Sequence, residues 1–130
     1  MEKRIVSTDA APKAIGPYSQ AVTVGDFVYT SGQIAINPKS GEVEHGSIIE
    51  QTTLVLKNLG AVLSAAGASM QTVVKTMVYL KSMDDFGEMN NVYSEFFGNE
   101  PPTRACVQVA RLPKDVLVEI DAIAYVADSK

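Results

Sequence analysis

The sequence predicts an α+β fold, a sheet carrying two helices on one face. Three observations carry that expectation. The elements read strand, strand, strand, helix, strand, helix, strand, strand. The hydrophobic period switches from strand-like to helical at Ser47. Between the two helical stretches, Val73 to Leu80 is a β-branched run, as a strand requires.

Lys3 to Ser7 is the first strand, and a loop through Ala10-Ala11-Pro12 follows. Ala14-Ile15-Gly16-Pro17-Tyr18-Ser19 is punctuated by glycine and proline, hence irregular. Ala21 to Val24 and Phe27 to Ser31 flank Gly25-Asp26, a two-residue hairpin signal. Asn37-Pro38-Lys39-Ser40-Gly41 is a loop of turn-forming residues. Beyond Ser47, Ile48, Thr52, Val55, Leu59, Val62 and Ala66 recur at spacings of four and three, with Leu56 and Leu63 beside them. That is the buried stripe of a long amphipathic helix, and Gly67 is placed to end it. Ser82 or Asp84 caps a second helix, whose stripe is Phe86, Met89, Tyr93 and Phe96 or Phe97. Gly98-Asn99-Glu100-Pro101-Pro102 stops it. The last two strands, Thr103 to Ala110 and Val116 to Val126, are joined by Leu112-Pro113-Lys114-Asp115.

At 130 residues and 13.9 kDa the chain is expected to form one domain over 1–130. A chain of this length buries about two-thirds of its unfolded surface, enough for a core without disulfides. The apolar and charged fractions, 46% and 20%, are those of a globular protein. No apolar run is long enough to span a membrane, and Met1 to Val6 lacks the apolar core of a secretory signal. One cysteine and one histidine exclude an internal disulfide, a Cys-rich zinc site and a His-pair metal site. Eleven basic against fifteen acidic side chains give a net charge of −4, which disfavours a sequence-independent hold on nucleic acid. The expectation is a cytoplasmic protein with no metal and no cofactor.

Read as a hairpin about Pro113-Lys114, the last two strands place Cys106 opposite Asp121, Gln108 opposite Glu119 and Arg104 opposite Ile123. Arg104, Cys106, Gln108, Glu119 and Asp121 then share one sheet face. Ala105, Val107, Val109, Val118, Ile120 and Ala122 form the other, the face packed on the helices. The polar face also carries Leu117, Ile123 and Tyr125, so it needs cover. Two helices cannot cover both sides, and a second subunit is the expected lid.

Each polar candidate has a bland reading beside its functional one. Arg104 is a surface arginine or a carboxylate anchor, its planar fork matching two oxygens. Glu119 forms a surface ion pair or moves protons in a partly desolvated cleft. Cys106 lines a pocket or core; as a nucleophile it would need a base, and His45 lies in a loop with nothing placing it near. Tyr18 is a loop anchor or a pocket wall. Ser31-Gly32 ends a strand with a residue that lets a ligand approach the backbone. Asn90 is solvated or borders the cleft, on the polar edge of the second helix.

These residues sit inside five ordered motifs: Ala14-Ile15-Gly16-Pro17-Tyr18-Ser19-Gln20-Ala21, Thr30-Ser31-Gly32-Gln33-Ile34, Asn37-Pro38-Lys39-Ser40-Gly41, Thr103-Arg104-Ala105-Cys106-Val107, and Ala110-Arg111-Leu112-Pro113-Lys114-Asp115. Together, and over essentially the whole chain, they resemble the RidA (YjgF) family. The resemblance implies a chorismate-mutase-like domain, a mixed sheet with two helices on one face, assembled as a homotrimer with clefts between subunits. It implies hydrolysis of 2-iminobutanoate and 2-iminopropanoate, released by pyridoxal-phosphate-dependent dehydratases, to 2-oxo acids and ammonia. In that reading Arg104 grips the carboxylate and Glu119 positions water or moves a proton. The backbone at Ser31, Gly32 and Cys106 hydrogen-bonds the substrate, and Tyr18 and Asn90 line the cleft. Asp121 departs from the glutamate usual there, and the Gly98–Thr103 segment is shorter than in some members. Two alternatives stand beside the deaminase: a non-catalytic trimer that binds small carboxylates, and a translation inhibitor or endoribonuclease. Glu119 speaks against the first, since an anion binder gains nothing from a carboxylate. The acidic charge and absence of a basic stripe speak against the second.

Overall fold

The structure is a computed structural model, and it describes residues 1–127. Six strands form one mixed sheet: β1 (Lys3–Val6), β2 (Ala21–Val24), β3 (Phe27–Thr30), β4 (Val73–Leu80), β5 (Thr103–Gln108) and β6 (Val118–Tyr125). Two helices, α1 (Ile48–Ala65) and α2 (Phe86–Phe97), pack on one face of it. Every expected element is present, with strand ends shifted by one or two residues.

Local chemistry explains the boundaries. Ser47 caps α1: its hydroxyl accepts from Glu50 N at 3.1 Å while the Glu50 carboxylate accepts from Ser47 N at 2.8 Å. Gly67, at φ 85°, turns the chain out of α1 as Ala68 N donates to Leu63 O. Ser82 caps a single 3-10 turn, Met83–Asp85, that leads into α2. The core is the α1 stripe, with Leu56, Leu59 and Leu63 fully buried against Val28, Val78, Val118 and Ile120. Met89 and Tyr93 of α2 join it, and the Tyr93 hydroxyl meets Thr76 Oγ1 at 2.7 Å.

The sheet order β1-β2-β3-β6-β4-β5 corrects the expected final hairpin. β5 does not pair with β6; β4 lies between them, antiparallel to β6 and parallel to β5. The segment from Val109 to Leu117 therefore crosses an intervening strand instead of turning tightly. A β4–α2–β5 unit, whose parallel strands need a crossover, places β5 on the outer side of β4.

The correction reverses the face of β5. Val78 stands beside both Cys106 and Ile120, so Cys106 shares the helix-covered side with a core isoleucine. Arg104 and Gln108 fall on that side, beside Thr76 and Leu80. Glu119 and Asp121 lie on the opposite, helix-free face, beside Tyr79 and Met77. The expected single polar face is thus two half-faces separated by the thickness of the sheet. The β6 half of the expected apolar face, Val118, Ile120 and Ala122, does face the helices, whereas Ala105 and Val107 are exposed on the open side. That open side also shows Ile5, Phe27, Tyr29 and Tyr125, each more than 40% exposed.

Candidate active site

The first half-site opens on the helix-free face at the junction of β3 and β6. Pairing of these strands shifts by one residue between Tyr29↔Ile123 and Gln33↔Ile120, so Ser31 and Gly32 bulge where the strand would otherwise continue. Ser31 is tied down on both sides, its N–H donating to Gln20 O at 2.9 Å and its hydroxyl to Ser19 O at 2.6 Å. The amides of Ser31 and Gln33 are both engaged, and the Gly32 N–H between them makes no hydrogen bond among the described residues. A side chain at Gly32 would collide with the Glu119 carboxylate, its Cβ falling 2.8 Å from Cδ. Glycine is what lets this carboxylate lie against the backbone.

Tyr18 closes the same hollow, a pocket of about 390 Å³ shared with Ser31, Gly32 and Glu119. Its loop is held by Gln20, a buried side chain whose amide donates to Thr8 O and Pro12 O and accepts from Thr8 N. The sequence reasoning missed part of this wall: Ile15, Ile34 and Ile36 supply apolar surface, while Lys13 and Lys114 bring two ammonium groups. Ile15, Ile34 and Lys114 stand inside motifs already singled out, and that neighbourhood was the available signal. Lys114 holds an uncommon left-handed backbone, φ 55° and ψ 19°, followed by Asp115 at φ 56°. Arg111 braces that turn with a two-pronged ion pair to Asp115 at 2.7 and 3.1 Å.

Burial pushes the Glu119 carboxyl above the usual glutamate value, and the charge of Asp121 adds to the shift. Among the described residues no hydrogen bond engages that carboxylate. Gly32→Ala is expected to displace it, moving the Glu119 carboxyl-carbon NMR signal while leaving the helix-side core intact. An unmoved signal in the alanine variant would show that this contact does not matter.

The second half-site lies across the sheet, where β5 forms its edge. The Arg104 guanidinium rests over the Tyr93 ring at 4.8 Å and the Phe86 ring at 5.4 Å, and donates to Asn90 Oδ1 at 2.6 Å. Asn90 and the two rings come from α2, which makes the helix a platform for the cation. No acidic side chain pairs with Arg104 among the described residues, so its remaining N–H groups are free for an anion. Cys106 is half-buried; burial raises its thiol and Arg104 only partly opposes this, which works against a nucleophilic thiolate. Val109 N donates to Leu80 O, and the alternation of the ladder leaves the Cys106 N–H on the outer edge of β5.

The structure thus brings Tyr18, Ser31, Gly32 and Glu119 together, and separately Arg104, Asn90 and Cys106. It does not bring the two groups together within one chain. Among the described residues no three His, Cys, Asp or Glu side chains are gathered to hold a metal, and no helix is long and apolar enough to cross a membrane.

Comparison with known proteins matches residues 8–126 to the sequence model of the family described as endoribonuclease L-PSP. A RutC family protein of Pyrococcus abyssi is 55% identical over 96% of this chain and 98% of its own. The mouse protein named 2-iminobutanoate/2-iminopropanoate deaminase is 48% identical over 94% of this chain and 90% of its own. Among solved structures, Escherichia coli TdcF with bound serine superposes with a TM-score of 0.90 at 46% identity, covering 94% of this chain and 98% of that one.

Proposed function

From a chain that belongs to the endoribonuclease L-PSP family, together with RutC and RidA proteins, we propose a deaminase that hydrolyses small 2-imino acids to 2-oxo acids and ammonia. The observation that carries this reading is the presence in one chain of an arginine with no acidic partner among the described residues and a half-buried carboxylate lying against Gly32. They stand on opposite faces of each sheet, so two copies must meet to complete one cleft. A homotrimer in which β5 of one copy lies along the pocket of the next supplies three such clefts. The exposed apolar side chains of the helix-free face give the copies a surface to bury.

The chemistry suits these groups. The iminium carbon of R–C(=NH2⁺)–COO⁻ is already electrophilic, so water can add without a metal or a covalent enzyme intermediate. Arg104 takes the carboxylate with its two-pronged fork, and the Gly32 and Cys106 N–H groups orient the substrate. Glu119 accepts a proton as the water oxygen bonds to carbon, giving a carbinolamine. It returns that proton to nitrogen, and the C–N bond breaks as C=O forms. The hydroxyl proton passes to the Glu119 carboxylate and on to solvent or ammonia, so ammonium leaves with the 2-oxo acid. No atom changes oxidation state. Serine bound to TdcF supports a ligand of this size and polarity.

Feeding 2-iminobutanoate from a threonine dehydratase tests the reading. With the protein present, 2-oxobutanoate should appear faster and the imine signal decay sooner. Rates equal to buffer, from protein that sediments at three times 13.9 kDa, would refute it.

A further inference from the structure

Glu119 does not stand alone on the helix-free face. Asp121 follows it two residues along β6 and points to the same side. Tyr79 of β4 sits directly opposite Glu119 in the ladder, yet its hydroxyl reaches diagonally and donates to Asp121 Oδ2 at 3.3 Å. Asp121 is thereby held beside Glu119 by the side chain that stands opposite Glu119 in the ladder. Nothing in the fold requires this arrangement, because the core lies on the other face. We propose that Asp121 and Tyr79 are positioning residues for Glu119, a fixed like-charged neighbour and the hydroxyl that fixes it. The inference rests on the role given to Glu119 above.

Two carboxylates on one strand face disfavour each other's ionisation. Asp121 is itself raised above the usual aspartate value by burial, and the Tyr79 hydrogen bond, Lys75 and the Met77 backbone only partly oppose that rise. The negative charge of Asp121 adds to the rise that burial gives Glu119, and among the described residues no hydrogen bond to the Glu119 carboxylate opposes it. A carboxyl that must both take and return a proton works best with its midpoint closer to the working pH. The charged and titratable groups facing the pair are Tyr79 and Lys75 on β4, Tyr29 on β3, and Tyr18, Lys13 and Lys114 around the pocket. From the open side of β5 come only Thr103, Ala105 and Val107.

The sign follows from charge. Removing the negative neighbour favours ionised Glu119, so its midpoint falls and the acid limb of the rate moves to lower pH. Removing the Tyr79 hydroxyl takes a donor from Asp121, so the midpoint of Asp121 rises. The test is a carboxyl-carbon NMR titration of the assembled protein, in wild type, Asp121→Asn and Tyr79→Phe, beside kcat/KM against pH. The proposal expects the Glu119 midpoint and the acid limb to fall together in Asp121→Asn, and the Asp121 midpoint to rise in Tyr79→Phe. An unchanged Glu119 midpoint in Asp121→Asn would overturn it. So would a lowered midpoint with an unmoved rate limb. If wild type hydrolyses no imine yet Glu119 shifts as expected, the electrostatic pair stands and the deaminase reading is what fails.

Discussion

Arg104→Ala should lower kcat/KM for 2-iminobutanoate by about ten- to hundredfold at the least, since a charge-assisted contact contributes roughly 1.5–3 kcal/mol. Misplacing the iminium carbon relative to its water adds to the loss. The guanidinium lies on α2, over Phe86 and Tyr93, so alanine also strips a cation from two aromatic faces and leaves Asn90 Oδ1 without its donor. The melting temperature should therefore drop modestly. Activity corrected for folded protein separates the effects, because a purely structural arginine would leave kcat/KM per folded chain intact. Arg104→Lys should recover little of the rate. An ammonium cannot reproduce the planar fork, even if it sits over the same rings. Full turnover in a folded alanine variant would remove the carboxylate anchor from the account.

Glu119→Gln should lower the rate further, by about a hundred- to ten-thousandfold, the usual contribution of a positioned proton-transfer group. Glutamine keeps the shape that fits against Gly32 and cannot exchange a proton at this pH. Folding should be preserved, since burial already disfavours the charge that the substitution removes. Equilibrium binding of a 2-oxo acid should persist, which distinguishes a lost proton carrier from a lost pocket. Wild-type kcat in this variant would leave water addition with no base and favour the carboxylate-binding alternative.

Much of the fold is legible in the sequence because its signals are local. The Ser47–Glu50 box, the stripe from Ile48 to Val62 and Gly67 fix α1 almost to the residue. Gly25-Asp26 fixes the β2–β3 hairpin. Which strand pairs with which is not a local property, and there the sequence misleads. The nine residues from Val109 to Leu117 look short, but neighbouring strands are only about 4.8 Å apart, so nine residues easily step over one. β5 itself gives no warning: as an edge strand it carries polar residues on one side and small or exposed ones on the other, so either face looks plausible. The better clue was β4, whose β-branched run from Val73 to Leu80 is long enough for a strand with neighbours on both sides. The residue types of the site were readable, because Arg104, Glu119 and Gly32 stand in distinctive motifs. Their arrangement was not, because it depends on the strand order. Tyr79 went unnoticed for the same reason, being interpretable only once β4 is known to lie beside β6.

The central claim is that each catalytic cleft takes Arg104 from one copy and Glu119 from another. Mixing two inactive chains, Arg104→Ala and Glu119→Gln, tests it directly. Differently tagged and co-assembled by coexpression, they are purified through both tags, so only mixed assemblies are assayed. In any mixed ring of three, an intact Arg104 stands against an intact Glu119 in about one cleft out of three. The account predicts a matching fraction of wild-type imine hydrolysis, far above either variant alone. Mixed assemblies as inactive as their parents would show that Arg104 and Glu119 must come from the same chain, and would contradict it.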